Sequence, residues 1–117
     1  MAKKYNSLAH TAWMCKYHIV FIPKYRRKVI YNQYRKDLID IIKALCKYKG
    51  VEIIEGHMTP DHVHLLLEVD PQFGIHKAVK QIKGHSSRIL RQEFKELRTK
   101  LPTLWTNSYF VSTVGGA

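Results

Sequence analysis

The sequence is short of cysteine, of acid and of long apolar runs, and each shortage excludes something. Cys15 and Cys46 are the only cysteines and lack CxxC spacing, so neither a disulfide framework nor a cysteine zinc site is indicated. A reduced, cytoplasmic setting is the expectation. No apolar stretch approaches the roughly 18–20 residues of a membrane span. The polar segment Met1 to Leu8 has no signal-peptide core after its lysines, so no membrane partner is expected. There is no repeat and no low-complexity linker. What remains is 117 residues, 45% of them hydrophobic, enough for one modest domain over 1–117 and too apolar for a disordered basic tail.

Nine Asp plus Glu stand against 20 Lys plus Arg, a formal charge of +11, which points to a polyanionic partner, although solubility alone can also favour basic surfaces. The distribution says more than the total. Nine basic residues precede Asp37, the first acid, and a second acid-free window from Pro71 to Gln92 carries Lys77, Lys80, Lys83, Arg88 and Arg91. Two separate basic zones suit a ligand that wraps over more than one element; two solvated faces are the plainer alternative.

Trp13 to Ile22 reads as a strand, with Trp13, Cys15, Tyr17, Ile19 and Phe21 on one face and Lys16 and His18 on the other. Pro23 to Lys28 follows as a basic loop. Tyr34, Leu38, Ile41, Ile42, Leu45 and Tyr48 recur at helical spacing, with Gly50 as the stop. Val51 to Met58 and His62 to Val69 read as strands joined by the tight Thr59-Pro60-Asp61 connection, an antiparallel hairpin. A long helix is expected from about Ile75 to Arg98. Its apolar stripe is Ile75, Val79, Ile82, Ile89, Leu90, Phe94 and Leu97, and its opposite side collects Lys77, Lys80, Gly84, Arg88, Arg91, Lys95 and Arg98. Gly84 within that stripe either lets a phosphate backbone approach or relieves packing at a kink. Tyr109 to Val114 completes the pattern as a last strand. The order β-α-β-β-α-β is the split βαβ, ferredoxin-like pattern: an α+β fold with a four-stranded antiparallel sheet, both helices on one face and strands one and three central.

The most specific local signal is His62-Val63-His64. Val63, Leu65, Leu67 and Val69 must face the helices, so His62 and His64 share the open face. Paired imidazoles suit a divalent metal; two incidental histidines on a half-exposed strand are the alternative. Asp61 and Glu68 are nearby carboxylates, which could equally serve the turn and the solvent. His18 is a weaker candidate for the same face, as metal ligand or phosphate contact. Cys15 and Cys46 read as packed thiols.

The segments Lys16-Tyr17-His18-Ile19-Val20-Phe21 and Pro23-Lys24-Tyr25-Arg26-Arg27-Lys28 resemble the opening of small single-tyrosine HUH transposases of bacterial insertion sequences, the TnpA family. Asp61-His62-Val63-His64-Leu65-Leu66-Leu67 is similar to their HUH strand. Lys83-Gly84-His85-Ser86-Ser87-Arg88 is similar to a segment of their second helix, and Leu104-Trp105 through Ser108 to Gly116 to their final strand. The resemblance implies a domain that binds single-stranded DNA hairpins at transposon ends, and cuts and rejoins single strands through a 5′-phosphotyrosine link. It implies that His62 and His64 hold Mg²⁺ or Mn²⁺ against the scissile phosphate, and that the protein is a homodimer. Lys24, Arg26, Arg27 and Lys28 of the loop, with Lys83 and Arg88 of the helix, are its implied DNA contacts.

In that family the nucleophilic tyrosine, and a third metal ligand, lie on a helix after the Val-Gly-Gly segment. The sequence ends at Ala117, before any such helix, so the expectation is that residues 1–117 do not cleave. Tyr109 is the one substitute worth naming, although it matches the aromatic of the last strand; Tyr5, Tyr17, Tyr25, Tyr31, Tyr34 and Tyr48 do not match the motif's place. Metal held by two histidines alone is expected to be weak, or completed by water or a neighbouring carboxylate. A non-catalytic regulator that binds DNA or RNA hairpins is the alternative reading, and an RNA-recognition sheet ranks behind it, because the open face of strand three offers histidines and no aromatic pair.

Overall fold

The computed structural model describes residues 15–114; Trp13, His10 and Tyr5 lie outside them. Strand β1, Cys15–Phe21, is followed by a 3₁₀ turn, Lys24–Arg26, and helix α1, Asn32–Lys49. Strands β2, Glu52–Thr59, and β3, His62–Val69, form the hairpin; then come helix α2, Ile75–Glu93, the short helix α3, Lys95–Lys100, and strand β4, Phe110–Thr113. The sheet order is β2-β3-β1-β4, every neighbour antiparallel, so strands one and three are central as the pattern required.

Alternation decides the two faces. Along β3 every second residue, Val63, Leu65, Leu67 and Val69, is buried, and they meet Ile19 and Phe21 of β1. Leu38, Ile42 and Leu45 of α1 and Ala78, Val79, Ile82 and Leu90 of α2 cover that face. Helix α1 stops where Gly50 takes φ 72°, its N–H reaching back to Cys46 and Lys47 carbonyls; a left-handed residue here favours glycine.

Three expectations need correction. The helix expected over 75–98 breaks at Phe94, whose φ of −119° and ψ of 98° are extended. No glycine or proline marks the break. Its reason is tertiary: the turn lets Leu97, Leu101, Leu104 and Trp105 close the end of the core, each nearly unexposed, while the Phe94 ring packs edge-on against Tyr34, centroids 4.6 Å apart. Lys95 and Arg98 therefore leave the basic stripe. Tyr48, counted with the apolar side of α1, is 82% exposed. The last strand is shorter than Tyr109 to Val114, and Tyr109 itself precedes it.

Strand β2 carries a bulge between Ile53 and Glu55. The extra residue, Ile54, reverses which side chains downstream face the helices. Because of it, His57 pairs with His64 and Glu55 with Leu66 on the open face.

Candidate metal and nucleic-acid site

Cross-strand register arranges the open face in transverse rows. Phe110, Val20, His64 and His57 form one row; Ser112, His18, Leu66 and Glu55 form the next. Four histidines thus share one face: His18, His57, His62 and His64. A shallow cavity lined by His18, Glu55, Gly56, His57, His64 and Leu66 lies at its centre.

The imidazoles are already engaged with their surroundings. His18 Nδ1 and His64 Nε2 are 3.0 Å apart, one donating to the other. His62 Nδ1 lies 2.7 Å from Thr59 Oγ1 and 3.2 Å from Asp61 Oδ1. Hydrogen bonds from His62 and then Thr59, helped by the charge and hydrogen bond of Arg26, hold the Asp61 carboxyl below the usual range against the opposing effect of burial. Burial first, then the charges of His18, His62 and His57, lower the pKa of His64 against the opposing pull of Glu55. A lowered pKa keeps the ring neutral at pH 7, the form a metal needs.

That shift has a consequence for stability. The unfolded chain takes up a proton near the ordinary histidine pKa, about 6.5, and folded His64 only below it. Between those two points the unfolded state binds more protons, so His64's contribution falls as pH drops through this window and is constant above it. An NMR titration of the His64 ring is expected to give a midpoint below the ordinary value; a midpoint at or above it would contradict the electrostatic account of this face.

His62 and His64 offer two imidazole donors on the one face, with His64 Nε2 already bonded to His18 Nδ1. Among the described residues no group of three His, Cys, Asp or Glu is arranged to hold an ion. Asp61 is turned to the Nδ1 side of His62 and to Arg26, and Glu68 stands opposite Lys16 toward the far end of β3. The possibility that a neighbouring carboxylate completes the site is therefore not met by either.

The implied DNA contacts separate into free and committed groups. Arg27 and Lys28 are exposed; Lys24 is half-buried, its N–H bonded to the Leu104 carbonyl and its ammonium 5.5 Å from the Tyr25 ring centroid. Arg26 is exposed but its Nε lies 3.3 Å from Asp61 Oδ2. Tyr25 and Arg26 take φ of 60° and 52°, a left-handed pair costing about 1–2 kcal/mol per residue. Docking offsets this: Val29 and Ile30 N–H both donate to the Pro60 carbonyl at 3.0 Å.

On α2, Lys77, Lys80 and Arg88 are exposed, with Arg88 2.9 Å from His85 Nδ1. Two others correct the expected stripe. Lys83 donates to the carbonyls of Thr106, Asn107 and Ser108 at 2.6, 3.2 and 3.2 Å, all three of its protons, so it clasps a loop and is not a free DNA contact. Arg91 donates to the Leu101 carbonyl at 3.1 Å. Gly84 is exposed, α2 runs through it without a kink, and a Cβ there would meet nothing within 4 Å, so the packing explanation fails.

Tyr109, the named substitute nucleophile, sits on the wrong side. Its ring packs against the core, its hydroxyl bonds His76 of α2, and Lys83 lies 5.4 Å from its centroid. Tyr17 also packs inward, and no described tyrosine lines the cavity at the centre of the open face. Sequence reasoning missed Ser86, fully buried, whose hydroxyl donates to the Ile82 carbonyl and accepts from Trp105 Nε1 at 3.1 Å; its place on the core side of α2 was the available signal.

Residues 11–117 match the family model described as transposase IS200 like. The transposase for insertion sequence element IS200 of Salmonella typhimurium is 43% identical over 112 residues, covering 94% of this chain and 74% of that protein. The ISDra2 transposase TnpA of Deinococcus radiodurans is 36% identical over 104 residues, 87% of this chain and 74% of that one. A crystal structure described as a transposase from Deinococcus radiodurans R1 superposes with a TM-score of 0.80 at 35% identity, over 89% of this chain and 82% of the other. A REP-associated tyrosine transposase bound to a REP hairpin shares the fold, with a TM-score of 0.63 at 14% identity over 90% of this chain and 58% of that one.

Proposed function

The chain belongs to the family of IS200-like transposases, and from that premise we propose that it binds single-stranded DNA hairpins at transposon ends and presents Mg²⁺ or Mn²⁺ to a scissile phosphate through His62 and His64. The observation that carries this reading is the pair of imidazoles on the open face of a central strand, one kept neutral and the other held through Nδ1. The metal would offset charge developing on phosphate oxygens. Positive charge on the Lys24–Lys28 loop and on the solvent side of α2 would hold the hairpin. The two histidines lie on the opposite face of the sheet from α2, so a DNA strand joining them passes around an end of the sheet. A homodimer fits the edge strand β4, whose Phe110 is 62% exposed. The cytoplasm, where the host DNA lies, is the corresponding location.

In the family's reaction a tyrosine oxygen attacks the phosphorus, a P–O bond breaks, and the 3′-hydroxyl leaves with a proton. No described tyrosine lines the cavity beside His64, which favours a second reading for residues 1–117: a hairpin-binding protein without cleavage. Incubating the chain with hairpin DNA from the flanking element ends, with Mn²⁺, separates the two on native and denaturing gels. Binding without a covalent adduct supports the second reading. An adduct would place the nucleophile within the chain, and Tyr25, whose neighbour Arg26 reaches Asp61, becomes the first to substitute. No binding would remove both. Within that assay Arg88→Ala is expected to flatten the salt dependence by about one unit of slope for one lost phosphate contact.

Gly84 gives a test with opposed signs. Gly84→Ala should stabilise α2 by about 0.5–1 kcal/mol, since the new methyl meets nothing. The same methyl should weaken hairpin binding if a phosphate approaches the backbone there. Stabilisation with unchanged binding would take Gly84 out of the DNA surface.

A further inference from the structure

We propose that Asp61 and Thr59 are positioning residues for His62, and that Arg26 ties them to the basic loop, so that the loop and the metal-facing imidazole are built as one unit. The inference deepens the proposed function and rests on its assignment of His62. Thr59 is the last residue of β2 and Asp61 the second residue of the two-residue turn before β3, and both direct side-chain oxygens at the same nitrogen. His62 Nδ1 has Thr59 Oγ1 at 2.7 Å and Asp61 Oδ1 at 3.2 Å, while Thr59 Oγ1 donates to Asp61 Oδ1 at 3.1 Å.

The hydrogens follow from the acceptors. An ionised Asp61 only accepts. Thr59 spends its single proton on Asp61, so its oxygen can only accept from His62. His62 must then carry its proton on Nδ1, which leaves the Nε2 lone pair free for a cation. A carboxylate on the far nitrogen also raises ligand basicity and fixes ring orientation. The second oxygen of Asp61 is taken by Arg26 Nε at 3.3 Å. The Arg26 backbone belongs to the left-handed turn that Val29 and Ile30 dock onto Pro60, one residue before Asp61. A shift of the basic loop therefore moves the group that aims His62.

The test reads the tautomer first, in metal-free protein, by long-range ¹H–¹⁵N correlation of the His62 ring. Wild type is expected to be protonated on Nδ1. Asp61→Asn and Thr59→Val should shift it toward a mixture with the Nε2-protonated form, and Thr59→Ser should restore the Nδ1 form. Calorimetric Mn²⁺ affinity should fall about 10–100-fold in Asp61→Asn, and by less in Arg26→Gln, with hairpin DNA still bound by Asp61→Asn. An Nε2-protonated wild-type ring would overturn the proposal, as would Asp61→Asn with an unchanged tautomer and Mn²⁺ affinity. Wild-type protein that binds no Mn²⁺ would sink the metal reading of His62 and His64, while the tautomer would still decide the positioning.

Discussion

Replacing both His62 and His64 by alanine is expected to abolish Mn²⁺ binding, and any Mn²⁺-dependent strand cleavage, while leaving hairpin DNA bound. Losing an outer partner of a metal ligand typically costs about 10–100-fold in affinity; losing both ligands should exceed that, because no third His, Cys, Asp or Glu is arranged to compensate among the described residues. The fold should tolerate the change. Both side chains are half-buried on the open face, and the apolar residues between and beyond them, Val63 and Leu65, are untouched. His18 would lose its partner but not its exposure to water. Calorimetry with Mn²⁺ and native gels with hairpin DNA check the two halves. Joint loss of metal and DNA binding, with an intact circular dichroism spectrum, would assign the histidines to the DNA surface.

Trp105→Ala should be the most damaging single change to stability, about 3–5 kcal/mol as for other large buried aromatics. Trp105 is 4% exposed, meets Phe21 edge-on with centroids 4.7 Å apart, and donates its Nε1 to the buried Ser86 hydroxyl. Removing it opens a cavity beneath the joint where the chain's last segment crosses β1: Pro23 bridges Trp105, Thr106 N–H donates to the Ile22 carbonyl, and Lys24 N–H to that of Leu104. The basic loop starts at that joint, and the carbonyls clasped by Lys83 follow it. Weaker hairpin binding should therefore accompany the loss of stability. Urea unfolding gives the magnitude; a cost below about 1 kcal/mol would mean that the site collapses around the missing ring.

The histidine pair and Trp105 were legible to different degrees. His62 and His64 stand at i and i+2 opposite an unbroken apolar face, so local alternation is enough to put them side by side. Trp105 lies in a stretch with no clear period, and its burial depends on the break at Phe94, which no local residue announces. Lys83 shows the same limit from the other side. Helical spacing placed it among exposed basic residues, yet proximity to the carbonyls of Thr106 to Ser108 turned it into a clasp, half-buried and with its pKa lowered by that burial.

The sequence by itself determined the order of elements, the central place of β1 and β3, the sharing of one face by His62 and His64, and the basic zones around Lys24–Lys28 and along α2. The central place of the two strands follows from the split βαβ order, and the rest from local rules: period-two or period-3.6 burial, a turn residue, or the sign of neighbouring charges. Only the tertiary structure decided that His57 joins that face, because one bulged residue in β2 inverts the alternation after it. Only the tertiary structure turned Tyr109 away from the histidines, paired His18 with His64, and set Asp61, Thr59 and Arg26 behind His62. Those outcomes depend on register and on segments far apart in the chain, where a shift of one position exchanges the two faces of a strand.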